Sequence, residues 1–206
     1  MGRWEPNARG RLEQAALDLY SERGFEQTTA AQIAKQAGLT ERTFFRHYAD
    51  KREVLFGGSH ALEEIFVDTL AGTPDSATPI DAMASTLETV AAFFLERHEF
   101  ARQRQAVIMA NAELRERELI KLASLSAALA ATLRRRGVKD PAASLTAEAG
   151  IAVFKVGFER WVGDSGDRTL ADFFRESLDE LKAVAAGESP QTRSGQQATT
   201  GPSASG

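Results

Sequence analysis

Glu41, Arg42, Thr43 and Arg46 fall within six residues of one another, and Thr28 and Thr29 stand a short way upstream. Nothing among them pairs a nucleophile with a base, so they do not read as a catalyst. They suit a nucleic-acid duplex. Arg42 can bridge guanine O6 and N7, Thr43 can touch a thymine methyl or a phosphate, and Glu41 can accept from cytosine N4. Thr28 and Thr29 precede an apolar repeat, so their hydroxyls and the N–H groups of a helix start suit a phosphate oxygen. Plainer readings compete: the threonines as helix caps, Glu41 as a first-turn carboxylate, the arginines as a solvated face.

The elements that would position these groups are short. Ile33, Ala34 and Ala37, with Ala30 one turn earlier, form the apolar stripe of a helix capped by Thr28 or Thr29. Gly38 follows at a position where a left-handed residue carries no Cβ penalty. Thr40 caps a second helix, Glu41 to His47 or Tyr48, which turns Phe44 inward and leaves Glu41, Arg42, Thr43 and Arg46 for an outside partner. The spacing is that of a helix-turn-helix, whose second helix enters a major groove. A first helix, about Arg9–Gly24, carries Leu12, Ala15, Ala16, Leu19 and Tyr20 on one stripe, and Phe25 closes a small core with Ile33 and Phe44.

The segments AALDLYSERGFEQTT and QIAKQAGLTERTFFRHYADKREVLF resemble the N-terminal domain of the TetR family of bacterial transcriptional regulators. The shared pattern is a helix ending in Gly-Phe, a Thr-Thr pair, an I-A-x-x-A-G core, then aromatic-x-His-aromatic and Lys. The resemblance implies phosphate contacts from Thr40, His47 and Lys51, a homodimer and a ligand-binding C-terminal domain. Taken alone, His47 reads equally as a ring packed at a helix end. Phe45 stands where family members usually carry a tyrosine that reaches a phosphate; without the hydroxyl, it is expected to pack.

Downstream, a fourth helix is expected from Asp50, with Val54, Leu55, Leu62, Ile65, Phe66 and Leu70 on one side and a thin spot at Gly57-Gly58. Further helices follow around Ile80–Phe94 and Glu99–Ala110, then from Leu114 to Arg136 with Leu119, Leu122, Leu125, Leu129 and Leu133. Arg134, Arg135 and Arg136 suit a helix C-terminus, with Gly137 as its stop. The eighth helix, about Pro141–Val162, has two apolar stripes: Ile151, Phe154, Phe158 and Trp161, and Leu145, Ala149, Ala152 and Val156. A helix apolar on both sides needs two partners. The ninth, about Arg168–Ala186, is expected to repeat that demand, so these two helices would pair with a symmetry mate.

The fold class expected is all-α, about nine helices, divided into a flexible arm at 1–8 with Arg3 and Arg9, a DNA-binding domain at 9–56, an effector-binding and dimerisation domain at 57–186, and a disordered tail at 187–206. An effector cavity is expected between the fourth and eighth helices, with Phe66, Phe94, Met109, Phe154, Phe158 and Trp161 as candidate lining. The stretch NAELRERELIKLASL, with AEAGIAVFKVGFERWV, is similar to regulators that accept acyl-CoA-like ligands. The function expected is a ligand-responsive repressor of a palindromic operator; the alternative is an all-α interaction module without DNA binding.

Composition narrows the rest. There are no cysteines, which excludes disulfides, thiolate metal sites and cysteine nucleophiles. His47, His60 and His98 are scattered, so no metal site, cofactor or catalytic residue is expected. No apolar run is long enough for a membrane span, and a cytoplasmic address is expected. The net charge of −4 is unevenly spread, with nine Lys/Arg against eight Asp/Glu in residues 1–56. DNA affinity must then come from local placement of cations, not from a basic field.

Overall fold

The computed structural model describes residues 7–187. Among them are nine α-helices, one 3-10 turn and no strand. The helices are α1 (Ala8–Arg23), α2 (Ala30–Gln36), α3 (Glu41–His47), α4 (Ser59–Gly72), α5 (Pro79–Phe93), α6 (His98–Ala110), α7 (Ala112–Arg135), α8 (Ala142–Gly163) and α9 (Leu170–Ala185), with the 3-10 turn at Glu53–Phe56. No helix among the described residues is long and apolar enough to cross a membrane. Arg3 and most of the expected arm and tail lie outside the described residues.

Caps written in the sequence set most helix starts. Thr29 and Gln32 form a reciprocal capping box on α2, as Thr169 and Asp172 do on α9. Thr40 and Thr78 accept from the backbone of α3 and α5. Gly38, at φ +66°, turns the chain out of α2 in the left-handed region that a side chain would resist.

The helix expected from Asp50 does not begin there. The Asp50 carboxylate accepts from Arg52 N at 2.8 Å and Glu53 N at 3.2 Å, so it caps a single 3-10 turn. The chain then passes Gly57-Gly58 before α4 starts at Ser59.

Two apolar clusters organise the molecule. The first gathers Leu12, Leu19, Phe25, Ile33, Phe44, Tyr48 and Val54, and also takes in Val107, Ile108 and Leu114 from the α6–α7 corner. The second packs Phe66, Met83, Leu87, Leu129, Leu133, Phe154 and Phe174 from α4, α5, α7, α8 and α9. Leu119 is not on the buried stripe of α7; it is 58% exposed. It follows Leu114 by five residues, which turns it about 140° around the helix. The three arginines at the end of α7 serve structure. Arg134 pairs with Asp140, Arg135 donates to Thr132, and Arg136 donates to the carbonyls of Ala71, Thr73 and Pro74 at the end of α4 and just past it.

One face of α8 builds the second core, while Leu145 and Val156 on the other are exposed. The ninth helix does not repeat that double demand. It buries Leu170, Phe173, Phe174 and Leu178 and turns Arg175, Glu176, Asp179 and Glu180 outward.

Candidate DNA-reading surface and the cavity behind it

The α2–α3 corner presents a small polar surface. Glu41, Arg42 and Arg46 are exposed on α3, and no hydrogen bond or ion pair engages either arginine among the described residues. Thr40 and Thr43 hold each other across the helix start, Oγ1 to Oγ1 at 3.0 Å. Thr29 is exposed at the start of α2.

Three expected contact residues are placed otherwise. Thr28 is buried, and its hydroxyl donates to Gly24 O at 2.9 Å. Lys51 points back into the head: Nζ donates to Phe25 O at 2.8 Å and Thr28 O at 3.2 Å and lies 4.2 Å from the centre of the Phe25 ring. His47 is half-buried, with its Nε2 covered and without a hydrogen-bond partner among the described residues.

Phe45 reverses in the opposite sense. It was expected to pack, yet it is 51% exposed, touching the buried Phe44 edge-on at 5.3 Å between centroids. Arg42, Phe45 and Arg46 are spaced i, i+3 and i+4, so they share one face of α3.

Behind this head lies a cavity of about 190 Å³. Its apolar lining includes Phe93, Phe94, Leu122, Leu125, Phe154 and Phe158, and its polar lining includes Glu13, Arg104, Gln105, Glu118 and Lys121. Residues 54–59 of the turn and hinge also form its wall. The cavity is therefore shared between head and helical body, and extends beyond the expected fourth-to-eighth-helix enclosure. Of the expected lining, Phe94, Phe154 and Phe158 are there. Phe66 stands behind the wall, fully buried and edge-on to Phe154 at 5.5 Å. Met109 is 52% exposed near the end of α6, away from the cavity. Trp161 borders a separate, more open hollow with His98 and Leu170.

Polar contacts fasten the head to the body around this cavity. Arg104 Nε donates to Leu55 O at 2.7 Å, its NH1 pairs with Glu118 at 3.2 Å, and its guanidinium lies over the Phe56 ring. Burial pulls the Arg104 pKa down and Glu118 opposes that pull. Glu53, the first residue of the turn, is held by both Arg117 and Lys121 of α7. Tyr48 Oη donates to Glu13 at 2.7 Å, and burial raises the phenol's pKa.

Known proteins share this fold. A family described as bacterial regulatory proteins, tetR family, matches residues 13–56, and one described as the MftR C-terminal domain matches residues 77–186, just over half of the chain. The chain belongs to the TetR family. Among its relatives, the HTH-type transcriptional regulator TcmR of Streptomyces glaucescens is 38% identical over 82 residues, 40% of this chain and 36% of that protein. The match thus spans little more than a third of that relative. FadR from Bacillus subtilis, solved in complex with stearoyl-CoA, superposes with a TM-score of 0.59 at 19% identity, covering 84% of this chain and 96% of that one. FadR from Thermus thermophilus, solved with lauroyl-CoA, gives 0.51 at 23% identity, covering 96% and 100%. At these identities the two structures establish the shared fold.

Within a TetR-family regulator the two regions divide the work. The α2–α3 corner is the DNA-binding helix-turn-helix, and α4 to α9 form the helical C-terminal part. Among the described residues no three His, Asp or Glu side chains cluster as metal ligands. The sequence offered no signal for Glu53, Arg104 or Lys121. Each is an ordinary charged residue on a helix or turn until the chain brings α6 and α7 against the head.

Proposed function

We propose that this TetR-family chain is a ligand-responsive repressor that binds a palindromic operator as a homodimer and is released by an amphipathic acyl-type effector of the acyl-CoA kind. The observation that carries this reading is the shared cavity: its wall includes both the aromatic body and the turn that ends the DNA-reading head. A ligand filling it touches both parts at once, so its binding energy can differ between two head positions. That difference is what a ligand needs to shift an equilibrium.

Thr29, Thr40, Arg42, Thr43, Phe45 and Arg46 form the DNA-facing set, with Arg42 and Arg46 supplying the uncommitted charge. Glu41 stands at the edge, as a first-turn carboxylate or a cytosine acceptor. Phe94, Phe154 and Phe158, with Phe93 and Leu125, receive the apolar part of the effector. The FadR structures that share the fold hold stearoyl-CoA and lauroyl-CoA, ligands with an apolar chain and an anionic head. Dimerisation uses the outward face of α8, and operator binding places the protein in the cytoplasm.

The test selects operators from a random duplex library with the full chain and measures anisotropy with and without lauroyl-CoA. Salt-dependent binding to a palindrome, weakened by the ligand, is expected. Failure to retain any duplex would sink the regulator reading.

A further inference from the structure

We propose that Lys121 is the cation that senses the effector: an anionic group in the cavity draws it away from Glu53 and thereby loosens the head. The inference rests on the effector reading above and adds which residue reads the ligand's charge.

The geometry around Glu53 is asymmetric. Arg117 takes Oε1, and Lys121 Nζ lies 3.4 Å from Oε2. Both cations come from α7, one turn apart, but only Lys121 is also part of the cavity wall. One of the two ion pairs that hold Glu53 is thus within reach of whatever fills the cavity.

The other cations on the wall are less suited. Arg104 is committed to Leu55 O, to Glu118 and to the face of Phe56. Arg97 lies over the Phe93 ring, 4.3 Å from its centre. Lys155 is exposed on α8, and among the described residues no ion pair ties it to the head. Glu13, Glu63, Glu118 and Glu159 also border the cavity, so an anion is repelled from much of the wall and steered to a cation that can turn toward it. The Lys121 side chain, 33% exposed on a flexible stem, can turn without unfolding anything.

When Lys121 turns, Glu53 keeps Arg117 but loses half of its clamp. The clamped head is the operator-binding form, so its population falls as the anion binds. By linkage, the anion binds correspondingly more weakly to the operator-bound protein. A partly exposed ion pair of this kind corresponds to a change of up to about fivefold in affinity.

The experiment uses the full chain, an operator selected from random duplex, and three probes: lauroyl-CoA, laurate and uncharged dodecanol. Lys121→Met should erase the preference for the charged probes over dodecanol, while Lys121→Arg retains it. Glu53→Gln frees Lys121, so it should weaken operator binding severalfold yet tighten laurate or lauroyl-CoA binding. A response to lauroyl-CoA alone identifies the phosphates of the CoA head as the anion, and a response to both charged probes shows that any anionic head suffices. Equal affinity of wild type and Lys121→Met for the charged probes overturns this inference alone, as does a Glu53→Gln protein with unchanged operator and ligand affinities. A wild type that holds its operator and ignores all three probes overturns the effector reading and this inference with it.

Discussion

Arg42 and Lys51 look alike in the sequence, two cations nine residues apart, and the fold gives them opposite tasks. Arg42 has no partner among the described residues, whereas Lys51 satisfies carbonyls of the 25–28 loop. Arg42→Ala should therefore cost about 1–3 kcal/mol of operator binding and relax the preference at one base pair, without moving the melting temperature. Lys51→Ala should do the reverse. It leaves carbonyls without their charged donor, at about 1–3 kcal/mol of stability, seen as a lower Tm in thermal denaturation. Asp50 offers a test by pH. The Arg52 guanidinium, assisted by the backbone N–H groups of Glu53 and Arg52, holds its carboxyl below the usual range. A carboxyl depressed in the folded state stabilises above its unfolded pKa of about 3.9 and ceases to do so as pH falls through the folded value. The Tm advantage of wild type over Asp50→Asn should accordingly be full at neutral pH and shrink below about pH 4. At this scale the sequence misleads where neighbours compete. Thr28 and Thr29, or Phe44 and Phe45, differ by one position, and a seven-residue helix is too short for periodicity to say which faces in.

Helices were legible because their causes are local: threonine caps, glycine stops and apolar stripes of period 3.6. The 3-10 turn at Glu53–Phe56 was not, since its clamps, Arg104, Arg117 and Lys121, lie about fifty to seventy residues further along the chain, and only Asp50, which accepts from its first N–H, is local. Two glycines test how elements meet. A Cβ on Gly157 of α8 would come 2.6 Å from Phe174 Cδ1 and 3.3 Å from Phe173 O, so α9 sits close because that side chain is missing. Gly157→Ala should cost about 1–3 kcal/mol, read as a lower denaturation midpoint. Gly58 is the contrasting case, at φ −80° with open space around its would-be Cβ. Alanine fits there and should add about 0.4–1 kcal/mol of stability. By stiffening the link between head and α4 it should also narrow the difference in operator affinity with and without lauroyl-CoA, measured by anisotropy.

The last question belongs to the whole molecule, because a palindrome is read only if two heads are held at a fixed spacing. One chain leaves Leu145, Ala149, Ala152 and Val156 along the outer face of α8, with Leu145 66% and Val156 48% exposed. The two alanines between the larger side chains let a second helix approach closely, as ridge-into-groove packing requires. The sequence announced this second stripe on α8, while α9 beside it shows an outer face of charged residues with Val184 exposed near its end. At a twofold interface each residue near the axis meets its own copy. Ala152→Glu should therefore set two carboxylates against each other and divide the assembly, giving a protomer mass near 22.4 kDa by light scattering. Because residue 152 is exposed in the single chain, the variant should still fold with an unchanged Tm extrapolated to low concentration. Its operator affinity should fall toward that of one half-site, while ligand binding survives. A variant that stays at twice the protomer mass would move the interface off α8.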